Sequence, residues 1–101
     1  MAPEPDDNTY LKISSLLIMD ARRKKLLFQS QHCGIKENDI LLGRFAASHI
    51  EEMSEAELDQ FEALLSENDH DIYGWVVGHQ ALVPRVDHSV MAALIKFKNS
   101  L

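Results

Sequence analysis

The chain has 101 residues, a hydrophobic fraction of 46% and a formal net charge of −6 at pH 7. This length can build one modest hydrophobic core and excludes two independent domains. The acidic balance argues against nucleic acid as the main partner, since surfaces that bind nucleic acid are basic. The single cysteine excludes an internal disulfide, as expected for a protein of a reducing compartment.

The N-terminal segment carries no recognisable targeting signal. Residues 1–9 are acidic and rich in proline, which predicts a disordered tail and resembles neither a secretory signal nor an Arg-rich transit peptide. The apolar run at residues 16–19 is too short to span a bilayer. We therefore expect residues 10–101 to form a single helical domain without membrane insertion. Its expected location is the cytoplasm, or the mitochondrial matrix if a presequence has been removed.

A first amphipathic helix is predicted to begin between Leu11 and Asp20 and to end at Cys33. Residues 22–25 are Arg, Arg, Lys and Lys, and this basic run is expected on the solvated side of the helix. The acidic region between positions 44 and 85, which contains no Lys or Arg, is interpreted as a second solvated face. The apolar face of the first helix is predicted to comprise Leu16, Leu17, Leu27 and Phe28.

A tight corner is predicted after this helix. Gly34 can stop the helix in the left-handed conformation that glycine adopts at little cost, and helical spacing resumes from about Lys36 to His49. Glu37 and Asp39 then lie in the first turn of the second helix, where the helix dipole favours negative charge. The corner is either an ordinary turn between helices or a surface that contacts a partner. The residues alone leave both interpretations open.

Two further helices have clear boundary signals. Ser54 and Glu57 are spaced to form a capping box at the start of the third helix. The fourth helix is short, with Asn68 or Asp69 as its N-terminal cap and Gly78 as its stop signal.

A fifth helix is predicted after a cap at Asp87. No segment alternates apolar and polar residues for long enough to form a strand. The sequence therefore predicts an all-α fold, a compact five-helix bundle in a single domain, and we expect it to be monomeric. The predicted core comprises Leu27, Leu41, Phe45, Leu58, Phe61, Leu65, Trp75 and Leu94.

No pattern in the sequence indicates catalysis. The five histidines are separated, with no i,i+4 pair and no second thiol, so the spacings of zinc sites are absent. His32 and Cys33 are neighbours, but adjacent helical residues point in different directions and a helix C-terminus disfavours a thiolate. No glycine-rich loop follows a strand, so common nucleotide sites have no support. The residues indicate an interaction protein rather than an enzyme, without a metal site.

Three segments together resemble one protein family. Residues 26–46 (LLFQSQHCGIKENDILLGRFA), 58–65 (LDQFEALL) and 69–75 (DHDIYGW) are similar, in order and spacing, to the succinate dehydrogenase flavinylation factors. These are small five-helix assembly proteins of bacteria and mitochondria. The hallmark of that family is Arg-Gly-x-x-Glu at the turn between the first two helices, and Gly34 and Glu37 match it here.

One position departs from the hallmark. Cys33 stands where the family has Arg, which replaces a charged side chain with several donors by a small, weak donor. Asp39 matches an acid that family members often carry two residues after the motif Glu. We therefore expect the same fold but weaker partner binding than in members with the full motif.

The resemblance implies a partner and a role. It implies that the chain binds the flavoprotein subunit of succinate dehydrogenase, or of the related fumarate reductase, and promotes covalent attachment of FAD to that subunit. The FAD would belong to the client, so no cofactor is expected to stay bound to this chain. The implied partner-binding residues are Gly34, Ile35, Glu37, Asp39 and Arg44, with Cys33 at the position of the motif Arg.

Two other function classes remain open from the residues. One is an antitoxin-like or regulatory protein-binding module that masks its partner with the acidic surface. The other is a small metal-dependent enzyme, which would retain metal through purification. Co-purification would separate the first from an assembly factor, because the captured partner would be a small toxin or cytoskeletal protein instead of a dehydrogenase subunit.

Overall fold

The structure is a computed structural model that describes residues 19–101. Five α-helices lie in this range: α1 (Ala21–Ser30), α2 (Lys36–His49), α3 (Glu55–Leu65), α4 (Asp69–Val77) and α5 (Ser89–Asn99). Short 3₁₀-helices at Ile50–Glu52 and Pro84–Val86 follow α2 and precede α5. No strand occurs between residues 19 and 101, and the predicted all-α five-helix bundle is confirmed.

Several sequence predictions concern residues outside the described range. They are the disordered tail at residues 1–9, the apolar positions Leu16 and Leu17, and a helix start before Asp20. In the described range α1 starts at Ala21, where the side chain of Asp20 accepts a hydrogen bond from the Arg23 amide at 2.8 Å. None of the five helices is long and apolar enough to cross a bilayer.

The predicted extent of α2, the predicted start of α3 and the predicted limits of α4 are confirmed. α2 spans Lys36–His49 as expected. At the start of α3, Ser54 Oγ accepts from the Glu57 amide at 3.2 Å and Glu57 Oε1 accepts from the Ser54 amide at 3.1 Å, which completes the capping box. Asn68 caps α4, and Gly78 ends it in the left-handed conformation at φ +87°.

The predicted end of the first helix at Cys33 is wrong, because α1 ends at Ser30. The next two amides bond three residues back, Gln31 to Phe28 O and His32 to Gln29 O, each at 3.1 Å. The Cys33 amide then leaves the helix and donates to Asp39 Oδ1 at 2.5 Å. The helix therefore ends four residues before Gly34, and a side chain of the following helix binds the first amide of the turn.

The predicted cap of the last helix is also wrong by one residue. Asp87 belongs to the end of the preceding 3₁₀-helix, where its amide bonds to Pro84 O at 3.2 Å. His88 has the extended backbone of an N-cap, and its Nδ1 accepts from the Met91 amide at 3.0 Å. The histidine ring thus takes the capping role that a carboxylate was expected to fill.

A single hydrophobic cluster holds the helices together. Six of the eight predicted core residues are buried in it: Leu41, Phe45, Leu58, Phe61, Trp75 and Leu94. Leu27 and Leu65 are only partly buried, because their neighbours Leu26 and Leu64 occupy the innermost positions at 1% and 0% exposure. Phe28, predicted on the apolar face, is 62% exposed, so the buried face of α1 is rotated relative to the prediction.

The two arginines of the basic run are partly buried and contact neighbouring elements. Arg22 donates to Glu55, Asp59 and Glu62 of α3 at 3.1, 2.6 and 2.9 Å, which joins α1 to α3. Arg23 donates to the backbone carbonyl oxygens of Ile50 and Met53 and also pairs with Asp20. The prediction of two independent solvated faces is therefore wrong for the arginines. It holds for Lys24 and Lys25, which are exposed.

Candidate functional site

The predicted site lies at the connection between α1 and α2. The connection is closed by the Cys33–Asp39 hydrogen bond, which spans the turn from one helix to the other. Gly34 is exposed and has φ +116°, a conformation that other residues rarely adopt. Ile35 is the N-cap of α2 without a side-chain capping bond, so the turn depends on backbone geometry and on Asp39.

A second set of contacts fixes this corner against the start of α4. A Cβ atom added at Gly34 would lie 2.8 Å from Asp69 Oδ2, so the glycine backbone and the aspartate are in close contact. Asn38, fully buried, donates through Nδ2 to the Asp69 carbonyl oxygen at 2.8 Å. The α1–α2 corner and the N-terminus of α4 therefore form one rigid unit.

The exposed face of α2 continues from this corner. Glu37, Ile40 and Arg44 are spaced by three and four residues, which places them on one side of the helix, and all three are exposed. Ile40 is 44% exposed, and neither Glu37 nor Arg44 forms an ion pair within residues 19–101. This face therefore offers one apolar and two charged side chains that no described residue of the chain covers or pairs with.

Cys33 has the environment of a packing residue. Its side chain is half-buried against the core, and the thiol donates to Ser30 O at 3.3 Å. Burial, followed by the charges of Asp39 and Asp69, raises the pKa of the Cys33 thiol to about 11. The thiol is therefore protonated at neutral pH and is a poor nucleophile. The cause is burial, and not the helix C-terminus at which the sequence had placed Cys33.

The structure brings most of the predicted site residues together. Five of them, Cys33, Gly34, Ile35, Glu37 and Asp39, belong to the corner itself. Arg44 lies about two turns further along α2, on the same face as Glu37. Within residues 19–101, no group of three or more His, Cys, Asp and Glu side chains is placed to hold a metal ion.

Three side chains near the corner were missed by the sequence analysis. Asn38 and Asp69 support the corner from 31 residues apart in the chain, a contact that no local pattern could indicate. Phe28 stacks on His32, with ring centroids 4.1 Å apart, beside a shallow groove that also contacts Cys33 and Leu65. The exposure of Phe28 could have been predicted only from its position around the helix axis relative to the two arginines. That argument requires the partners of the arginines, which the sequence does not show.

Comparison with known proteins assigns the chain to a family. A family model described as flavinator of succinate dehydrogenase matches residues 24–98. The chain is 44% identical over 69 residues to the protein named "Succinate dehydrogenase assembly factor 2, mitochondrial" of Scheffersomyces stipitis, covering 68% of this chain and 46% of that protein. Proteins of the same name from Kluyveromyces lactis and Saccharomyces cerevisiae are 37% and 38% identical over 78 residues, covering 77% of this chain and 48% of each relative. The chain thus spans about half the length of the curated relatives it matches, and it belongs to the family of flavinators of succinate dehydrogenase.

Proposed function

We propose that this chain binds the flavoprotein subunit of succinate dehydrogenase, or of the related fumarate reductase, and promotes covalent attachment of FAD to it. Family membership supports an assembly role over an antitoxin-like module or a metal-dependent enzyme. The names of the relatives support a mitochondrial location, and we place the protein in the matrix. We further propose that it acts as a monomer.

The observation that carries this proposal is the rigid, exposed corner. Gly34 presents backbone without a side chain, and the contacts of Asp39 and Asn38 hold that backbone in place. Next to it, Ile40 is exposed between the unpaired charges of Glu37 and Arg44. A surface that is already ordered loses little conformational entropy on binding, which favours the recognition of a folded client.

The same geometry suggests how such a protein promotes a reaction without providing reacting groups. The thiol of Cys33 is protonated, and the corner offers no pair of groups set up as nucleophile and base. This chain would hold the domains of the flavoprotein so that a side chain of the flavoprotein meets FAD. Such positioning alone can account for a large part of the acceleration of a reaction. We therefore assign the bond-forming residues and the cofactor to the flavoprotein, and to this chain the role of a non-catalytic chaperone.

Flavin fluorescence in denaturing gels tests this function. The flavoprotein subunit is analysed from cells that lack the chain, express it, or express Gly34→Arg. Gly78→Ala is the control, because Gly78 also has positive φ but lies at the end of α4 with open space around it. We expect covalent fluorescence with the parent chain and the control, and its loss with Gly34→Arg. Equal fluorescence in the presence and absence of the chain would contradict the proposed function.

A further inference from the structure

The basic run of α1 consists of two partly exposed arginines that are paired within the chain and two exposed lysines. Arg22 and Arg23 are engaged by carboxylates and carbonyl oxygens of the same chain. Lys24 and Lys25 are exposed, and their ammonium groups form no ion pair within residues 19–101. Two cationic groups on a chain with net charge −6 are therefore available to an external partner.

The same side of α1 carries an exposed aromatic pair. Phe28 follows Lys24 and Lys25 at spacings of four and three residues, which places it beside both lysines on one side of α1. His32, four residues after Phe28, lies just beyond the end of this helix. The Phe28 ring is 62% exposed and lies 4.1 Å from the His32 ring at an interplanar angle of 22°. We call Lys24, Lys25, Phe28 and His32 the basic-aromatic strip.

The strip leads into the corner. His32 directly precedes Cys33, and the groove beside Phe28 and His32 is bounded by Cys33 and by Leu65 and Ser66 at the end of α3. Gln31, next to His32, packs against α2, where its Cγ lies 3.1 Å from the position of a Cβ on Gly43. The missing side chain at Gly43 thus lets the end of α1 pack closely against α2.

We propose that the basic-aromatic strip is a second contact site for the flavoprotein subunit and binds an acidic segment of that subunit, with an apolar side chain of the segment resting on Phe28 and in the groove. This inference rests on the proposed function. Lys24 and Lys25 provide the positive charge for this contact, because neither forms an ion pair in the described range. Continuity with the corner lets one client cover both surfaces.

Other anionic partners fit the strip less well. Membrane recognition by charge generally takes clusters of about four to eight basic residues, whereas the strip has two lysines. Nucleic acid would also meet the acidic side chains that dominate the rest of the surface. Self-association would place the lysines against acids of a second copy, and three of the nearest acids on α3, Glu55, Asp59 and Glu62, already share the contacts of Arg22.

The two parts of the strip should affect binding in different ways. Charges at the rim of an interface mainly raise the association rate and its dependence on salt, so Lys24→Glu with Lys25→Glu should slow association about tenfold at low ionic strength and weaken the salt dependence. A large aromatic side chain in an apolar subsite mainly slows dissociation, so Phe28→Ala should raise the dissociation rate by about tenfold or more.

The experiment measures binding kinetics of purified apo flavoprotein subunit to the immobilised chain at low ionic strength and at about 0.15 M salt. The variants are Lys24→Glu with Lys25→Glu, Phe28→Ala and Gly34→Arg. The control is Lys96→Glu with Lys98→Glu, which makes the same change in net charge in the last turn of α5. Circular dichroism establishes that each variant is folded.

The outcomes separate the two proposals. If the parent chain does not bind, the proposed function fails, and this inference fails with it. If the parent binds and only Gly34→Arg weakens binding, the corner is the interface and the strip is not, which overturns the inference alone. The inference is also overturned if the lysine variant binds the client with the same kinetics as the α5 control. It is overturned as well if the lysine substitutions leave the client kinetics unchanged but alter the sedimentation of the free chain, or its binding to vesicles that contain phosphatidylserine.

Discussion

Gly34 is the residue whose conformation the corner depends on most. At φ +116° the backbone of any residue with a side chain is strained, and a Cβ at this position would also lie 2.8 Å from Asp69 Oδ2. We predict that Gly34→Ala lowers the free energy of unfolding by about 1–3 kcal/mol, the usual cost of a residue held in a sparsely populated conformation. Urea unfolding followed by circular dichroism measures it.

Two variants separate the causes of that loss. Gly78→Ala places the same change at φ +87° with no atom within 4 Å, so it reports backbone strain alone. Asp69→Ala in the Gly34→Ala background removes the carboxylate that the new methyl group would meet, and we expect it to restore part of the stability. A Gly34→Ala protein as stable as the parent would show that the corner adapts freely.

Cys33 is the residue at which the chain departs from the family hallmark. An Arg at this position could form charge-assisted hydrogen bonds to the client, which are stronger than those of a neutral thiol. Asp39 and Asp69, whose charges already act on the thiol, would orient the guanidinium. We predict that Cys33→Arg tightens binding to the flavoprotein about tenfold or more, equivalent to about 1.4 kcal/mol.

Titration calorimetry of the apo flavoprotein with the parent, Cys33→Arg, Glu37→Ala and the double mutant measures this effect. Glu37→Ala should weaken binding in both backgrounds, since its carboxylate lies on the same exposed corner. If Cys33→Arg leaves the affinity unchanged or reduces it, the client has adapted to the thiol and the hallmark does not transfer at this position.

At the scale of the helix, His88 makes α5 sensitive to pH. Its Nδ1 accepts the Met91 amide at 3.0 Å and can do so only when that nitrogen is unprotonated. Burial lowers the pKa of His88 below its ordinary value of 6.5, against an opposing effect of the neighbouring Asp87 charge. The folded protein binds this proton less readily than the unfolded chain. The free energy of unfolding therefore rises with pH between the lowered pKa of folded His88 and its ordinary value of 6.5.

We therefore predict a stability contribution that is complete above pH 6.5 and is lost as the pH falls through the lower pKa of the folded state. His88→Asn retains a capping acceptor that does not titrate, so its unfolding free energy should vary less over the same range. His88→Ala should cost about 1 kcal/mol at neutral pH, the typical value of a lost cap. Urea unfolding at a series of pH values measures all three proteins, and parallel profiles for the parent and His88→Asn would contradict the prediction.

The helices show which parts of the fold a sequence can predict. Local signals mark the start of α3, at the Ser54–Glu57 box, and the end of α4, at Gly78. These boundaries and the extent of α2 were predicted correctly. α1 was misplaced in phase and length because its orientation is set by partners far along the chain. Arg22 pairs with acids 33 to 40 residues away, and no local pattern distinguishes such an arginine from a solvated one.

In the candidate site, too, features set by local sequence were predicted and features set by distant contacts were not. Gly34 and Glu37 were identified because the hallmark is a contiguous motif. The support from Asn38 and Asp69 was not predictable, because it joins two helices across 31 residues. Phe28 was assigned to the apolar face of α1 from its spacing, whereas it is 62% exposed and the buried positions of α1 are Leu26 and Ser30.

At the scale of the whole molecule, one core holds the helices that present the corner. Phe61 is fully buried, with its ring 6.0 Å from Phe45 of α2, so it links α3 to the helix that carries the exposed face. We predict that Phe61→Ala lowers the free energy of unfolding by about 3–5 kcal/mol, the usual cost of removing a buried aromatic side chain. This is a large share of the 5–15 kcal/mol that is typical of a small domain.

Phe28→Ala is the matched control, because it removes the same side chain at a position that is 62% exposed. It should change stability by no more than about 0.5 kcal/mol, and urea unfolding compares the two variants directly. Similar losses for Phe61→Ala and Phe28→Ala would contradict the placement of Phe61 at the centre of the core.

The central claim is that the α1–α2 corner of the intact bundle binds the flavoprotein subunit. The most direct test is a calorimetric titration of the apo flavoprotein with four folded proteins: the parent, Gly34→Arg, Glu37→Ala and Gly78→Ala. We predict that Gly34→Arg abolishes measurable binding, that Glu37→Ala raises Kd, and that Gly78→Ala binds like the parent. Binding by Gly34→Arg with the affinity of the parent would show that the corner is a structural turn and would contradict the claim.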